Sequence, residues 1–197
     1  FMKFSDACER NKIPILKVLN EELDSGTVLE IGSGTGQHSV FFSKEIHSIK
    51  WYPSDTISNF ESLNAFVTNY QNKNLQTPLI IDITQDEWID FKVDYVFTSN
   101  TFHIINNAFL TFFLYQSSKV IKANGKLIIY GPFKFDKQFN SPSNQTFDEL
   151  LKETDPFSGL KNFEEIVSIA LKFDFIFSKK YEMPANNNIL VFKKSIN

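Results

Sequence analysis

The chain has 197 residues, a formal charge of −3 and an isoelectric point near 5.7, and Arg10 is the one arginine among its 20 basic residues. That length fits one ordinary domain, and the charge offers neither the basic footprint of a nucleic-acid binder nor an arginine cluster for gripping phosphates. Cys8 stands alone, which excludes an internal disulfide, and no Cys/His spacing matches a zinc or other metal site. No apolar run approaches the ~20 residues that cross a bilayer, and no signal-peptide pattern is present. The expectation is a soluble, cytoplasmic domain without membrane or nucleic-acid partners, its 22 phenylalanines spent on a bulky core.

Residues 4–23 read as a helix with Ile13, Ile15, Leu16, Val18 and Leu19 on one side, and Pro14 marks a place for a break. Thr27–Ile31 is a buried first strand. It runs into Gly32, Gly34 and Gly36, after which an apolar helical pattern extends to about Glu45. Strand, glycine loop and helix in that order form a nucleotide cradle. Glycine permits tight turning and close ligand approach, and the following helix offers unpaired N–H groups. The spacing is E-x-G-x-G-x-G. The dinucleotide fingerprint G-x-G-x-x-G, begun at Gly32, needs glycine where Gln37 stands.

Ile49–Pro53 is a second strand ending at Ser54-Asp55, followed by a helix from Ile57 to about Tyr70. Pro78–Ile83 is a third strand and Val93–Thr98 a fourth, with a helix over Ala108–Ile121. Asn124-Gly125 signals a turn before a fifth strand, Lys126–Tyr130. Residues 131–159 form a long connection with a short helix at Phe147–Lys152, a length that suggests a functional lid. Asn162–Leu171 is helical, and Phe173–Met183 and Ile189–Lys193 make a closing hairpin. The class is therefore α/β. A Rossmann-like, doubly wound, mostly parallel seven-stranded sheet carries helices on both faces and a C-terminal antiparallel hairpin.

Seven stretches in order carry a resemblance: ERNKIPIL (9–16), LEIGSGTGQH (29–38), WYPSD (51–55), TSNTFHI (98–104), KLIIYGPF (126–133), SNQTFDELLKETDP (143–156) and MPANN (183–187). They resemble a class I S-adenosylmethionine-dependent methyltransferase, and within that superfamily the methyltransferase-like family called domain of unknown function 938. The family usually has a tryptophan soon after FHI, where this chain has Asn106-Asn107.

The resemblance implies S-adenosylmethionine as cofactor. With no appended domain for a macromolecule in these residues, the expected acceptor is a small molecule, with a protein tail as the alternative. Gly32, Gly34 and Gly36 would cradle the cofactor. Asp55, at the end of the second strand, would accept from the ribose hydroxyls; its other reading is a helix N-cap. Asp82 would meet the adenine amino group and Ile83 would offer its backbone N–H, with a turn-capping aspartate as the alternative. Glu30 would favour the sulfonium or amino group of the methionine portion, or simply bind the glycine loop. His38 would touch that portion, and Ser99 and Asn100 would lie beside it. The N-terminal helix would fold over the site, bringing Asn11 and Arg10, the latter for a carboxylate of cofactor or acceptor.

Thr101 would line the acceptor side, where His103 and Tyr130 are the candidate catalytic residues. His103 would be base or orienting group, or else a structural histidine. Ser143, Asn144, Asn186 and Asn187 would form a polar lid, although asparagine-rich turns are also ordinary turn chemistry. Two other classes compete: a non-catalytic cofactor-binding module, and a nicotinamide oxidoreductase. The glycine spacing and the terminal hairpin count against the second.

Overall fold

The computed structural model describes residues 4–70 and 72–196. Helix α1 (Asp6–Glu22) leads into β1 (Gly26–Ile31), α2 (Gln37–Glu45), β2 (Ile49–Asp55), α3 (Ile57–Asn69), β3 (Leu79–Ile80) and β4 (Val93–Ser99). Then follow α4 (Asn107–Val120), β5 (Ile121–Gly131), a small hairpin of β6 (Lys134–Phe135) and β7 (Gln138–Phe139), α5 (Pro142–Thr154) and α6 (Phe163–Leu171). The chain closes with β8 (Phe175–Met183) and β9 (Asn187–Lys194).

The main sheet has seven strands in the order β3-β2-β1-β4-β5-β9-β8, parallel from β3 through β5 and antiparallel at β9 and β8. Period-two alternation feeds two cores. Leu29, Ile31, Leu127, Ile129, Leu190 and Phe192 face α4 and α6. Val28, Ile128, Tyr130, Ile189 and Val191 face α1 and α2, where Trp51, Phe42 and Phe97 pack together. Each strand interior is thus apolar on both sides, as a covered parallel sheet requires. Among the described residues no helix is long and apolar enough to cross a membrane.

Four local expectations change. Helix α1 runs unbroken through Pro14. Ser5 caps its start by accepting from the Cys8 N–H, and packing of Ile15, Val18 and Leu19 offsets the N–H that proline lacks. Strand β3 keeps only two residues, because Asp82 accepts from Thr84 and turns the chain out of the sheet. The short helix expected at Phe147–Lys152 is the thirteen-residue α5, capped by Ser141 with Pro142 in its first turn. Strand β5 begins at Ile121, with Asn124 (φ 63°) and Gly125 inside a register shift against β4 rather than before the strand.

The chain order reverses direction between β1 and β4, so the switch point of the sheet lies between them. Register brings the carboxyl ends together: Ile31 pairs with Ser54 and Thr98, and Ser99 with Tyr130. Ser33 N–H donates to the Ser54 carbonyl and Asn100 N–H to that of Tyr130, both at 2.9 Å, fixing the loops that leave this edge.

Candidate active site

A cavity of about 830 Å³ opens at that carboxyl edge, within the ~300–1,000 Å³ usual for ligand sites. Its floor is the glycine loop and the ends of β4 and β5. Helix α1 forms one wall; the first turns of α5 and the β8–β9 turn form the other. A second cavity, of about 410 Å³, sits against edge strand β8 near Phe177 and Lys193, at the opposite edge of the sheet. It contains none of the candidate residues and lies away from the switch point of the sheet.

The three glycines do different work. A Cβ on Gly34 (φ 56°) would meet nothing within 4 Å, so the loop faces open space there, as a ligand cradle must. A Cβ on Gly32 would stand 2.8 Å from the Thr101 hydroxyl, and one on Gly36 2.9 Å from Leu63 Cδ1. Gly32 therefore admits the β4 loop, and Gly36 admits α3.

Asp55 is 7% exposed and turned toward the loop. Its Oδ2 accepts from the Gly34 N–H at 2.7 Å, while Oδ1 accepts from Thr56 N–H at 2.8 Å and from Asn59 Nδ2 at 3.0 Å. It lies behind the cavity surface rather than on it and shapes the loop, with acceptor capacity left on Oδ2. Asp82 and Ile83 also lie off the cavity. Asp82 caps the turn, accepting from Thr84, and Ile83 packs against the α4 core.

Glu30 lines the cavity floor and is 1% exposed. One oxygen, Oε2, accepts from the Ser39 hydroxyl and from Trp51 Nε1 at 2.7 Å. Burial outweighs these hydrogen bonds and pushes its carboxyl up to about 7, with nearby Asp55 adding to the rise.

Helix α1 is docked on the loop by Gln37, which accepts from Ser5 N–H at 2.6 Å and donates to Glu9 at 2.9 Å. His38 completes the joint. Its Nε2 lies 2.7 Å from Asn11 Oδ1, its ring stacks on Phe42, and burial holds it down to about 4, hence neutral. Arg10 stands on the cavity wall, exposed, and makes no ion pair among the described residues.

At the far end, His103 is 7% exposed and lines the cavity. Its ring makes no hydrogen bond to a described protein group and meets Phe147 edge-on at 5.1 Å. Burial, with Lys161 nearby, lowers it to about 4. Tyr130 also lines the cavity, with its hydroxyl by Asn11 and Cys8 of α1; burial raises that hydroxyl while Asn11 pulls the other way. Ser99 Oγ is buried without a partner among the described residues, and Asn100 takes φ 58° beside it. Thr101 is not part of the lining. It is buried under the loop, bonded to the Ser99 carbonyl.

Ser143 and Asn144 reach the cavity from α5, and Asn187 from the facing turn. Asn186 is off the lining, but its carbonyl accepts from Asn144 Nδ2 at 3.1 Å and Asn140 Nδ2 at 3.2 Å. The two walls are thereby tied across the mouth. Sequence reasoning passed over Ser33, Thr35, Gln37, Cys8 and Phe147. The expected helix at Phe147–Lys152 already contains Phe147, and the cap signature Ser141-Pro142 marks where that helix starts.

This arrangement, an open glycine cradle at the switch point and an antiparallel β9 inserted beside β5, is the methyltransferase Rossmann-like fold. Solved structures agree. The S-adenosylmethionine-dependent methyltransferase SibL, in its apo form, superposes with a TM-score of 0.80 at 14% identity, covering 96% of this chain and 56% of SibL. An O-methyltransferase family 2 protein from Planctomyces limnophilus, in complex with apigenin, gives 0.79 at 11% identity, over 95% of this chain and 60% of that one. Human N-acetylserotonin methyltransferase, in complex with SAM, gives 0.79 at 12%, over 96% and 53%. The chain thus spans little more than half the length of these proteins. It belongs to the family described as protein of unknown function (DUF938), whose model matches residues 2–194.

Proposed function

We propose that the protein is an S-adenosylmethionine-dependent methyltransferase acting on a small molecule. The observation that carries this is the Gly34 cradle: a backbone turn open to an 830 Å³ cavity, at the switch point of a methyltransferase fold. Two side chains fit the cofactor independently. Ser99 Oγ is buried and lacks a partner, and Glu30 sits on the floor as a carboxyl whose ionisation a cationic ligand would favour. The bound proteins among the structural neighbours, one with SAM and one with apigenin, support the same reading.

Bound there, the cofactor supplies an activated methyl group that transfers directly to a nucleophile. The protein's work is positioning and exclusion of water. The glycine loop, shaped by Asp55, holds the adenosyl side, with Arg10 and Asn11 on α1 and His38 on α2 closing over the methionine side. His103 and Tyr130 contact the acceptor, and α5 with the β8–β9 turn serves as the lid.

The test is incubation with methyl-labelled S-adenosylmethionine and a fractionated small-molecule extract. Label appearing in a small product, and falling at least ~10-fold with His103→Ala or Tyr130→Phe, supports the reading. Tight cofactor binding with no labelled product from any fraction would favour a non-catalytic cofactor-binding module instead.

A further inference from the structure

The cavity lining has a one-sided charge. Among the described lining residues Glu30 is the only carboxylate, and it is buried in the floor with Oε2 taken by Ser39 and Trp51. The lining cation is Arg10, which is exposed and unpaired. An ammonium group entering here finds no exposed counter-charge, and burying it unpaired is costly.

A second cation lies just behind the wall. Lys161 is 3% exposed, and its Nζ donates to the Gly159 carbonyl at 3.0 Å. The N–H of the same Gly159 donates to the His103 carbonyl at 2.8 Å, so residue 159 links the lysine to His103. The acid nearest this strap is Asp148, which offsets more of the lysine's positive charge than any other group. Oδ1 accepts from Leu160 N–H at 2.6 Å, and Oδ2 takes the Lys152 ammonium. Glu165 offsets part of the positive field, while Lys134 and Lys152 add to it. His103 itself is nine-tenths buried, aimed into the cavity and unpartnered, and Lys161 disfavours its protonation. Its neutral ring has an N–H to donate. Around it Pro132, Phe147 and Pro184 make apolar walls.

We infer that the acceptor is a flat aryl or enol hydroxyl compound bound as its oxyanion, held by the His103 N–H in the field of Lys161. The inference rests on the methyl-transfer reading. The hydroxyl proton goes to solvent as the oxyanion seats. The oxygen–methyl bond then forms while the methyl–sulfur bond breaks, and that electron pair stays on sulfur. His103 remains neutral throughout, and no further base is used.

The experiment uses full-length protein loaded with S-adenosylhomocysteine and titrated with 4-nitrophenol, whose ionised form is read by its absorption band. The expected result is a bound dye that ionises at least ~10-fold more readily than free dye, about one pH unit lower. Lys161→Met should shrink that shift, and 4-nitrobenzylamine should fail to compete. Overturning results are a dye bound as neutral phenol, no dye binding to the loaded protein, or stronger binding by the amine. Any of these leaves methyl transfer standing, because loading with S-adenosylhomocysteine is measured first. Failure to load would instead remove the methyl-transfer reading, and this inference with it.

Discussion

Gln37 and Ser5, 32 residues apart, clasp each other through one side-chain amide. The Gln37 oxygen accepts the Ser5 N–H at 2.6 Å, and its nitrogen faces the Ser5 carbonyl at 3.4 Å. The same oxygen also accepts from the Thr35 hydroxyl at 2.9 Å. Glutamine thus occupies the place where a dinucleotide fingerprint has glycine, and it uses that place to seat α1 over the cradle. Gln37→Ala should cost about 1–2 kcal/mol of stability through these lost bonds. It should also raise amide exchange over residues 5–12 and weaken cofactor binding ~10-fold. Unchanged exchange there would show that α1 is held by its apolar face alone.

Gly34 and Gly36 make a paired test of the cradle. Both have positive φ, so alanine at either costs about 1–2 kcal/mol in backbone strain. At Gly34 the added methyl meets open space, so Gly34→Ala should fold and lose cofactor affinity. At Gly36 it collides with Leu63 and Phe66, so Gly36→Ala should lose the larger share of stability. Thermal unfolding and calorimetry on the two variants should therefore rank in opposite orders.

Asp55→Ala removes the acceptor for the Gly34 and Thr56 N–H groups and for Asn59. Each donor left buried and unpaired costs about 1–3 kcal/mol. The expected outcome is a destabilised protein whose cofactor binding falls by more than ~100-fold, while Asp55→Asn recovers stability better than binding. Urea titration measured beside calorimetry separates the two effects.

Stability should fall in mild acid, with a sign fixed by three buried groups. His38 and His103 are held neutral down to about 4, so between pH ~6.5 and ~4 the unfolded chain takes up their two protons and the folded chain does not. Glu30, raised to about 7, keeps a proton in the folded state from pH ~4.5 to ~7 and so opposes them. The net difference near pH 5 is about one proton, or ~1.4 kcal/mol lost per unit of acidification. Glu30→Gln removes the opposing term, and the slope should steepen to about two protons. Urea midpoints at pH 5, 5.5 and 6 give the slope directly.

The elements were legible because apolar period, glycine and proline are local signals. β1, β4, the glycine loop and the closing hairpin stand close to where those signals put them. What the sequence hid depends on distant partners. Asp55 sits at its expected strand end, yet its oxygens turn to Gly34 and Asn59 because the loop's buried N–H groups need an acceptor. Asp82 has the same strand-end pattern, but its own Thr84 captures it and β3 stops early. Lys161 reads as one of many surface lysines. Only the fold reveals that it is buried behind His103.

The most direct test of the account is calorimetric titration of the purified protein with S-adenosylmethionine and S-adenosylhomocysteine, with NADH as control. Both adenosyl compounds should bind at one site, NADH should not, and Gly34→Val should abolish the heat while the variant stays folded. Folded wild-type protein that binds neither compound, or that binds NADH in their place, would contradict it.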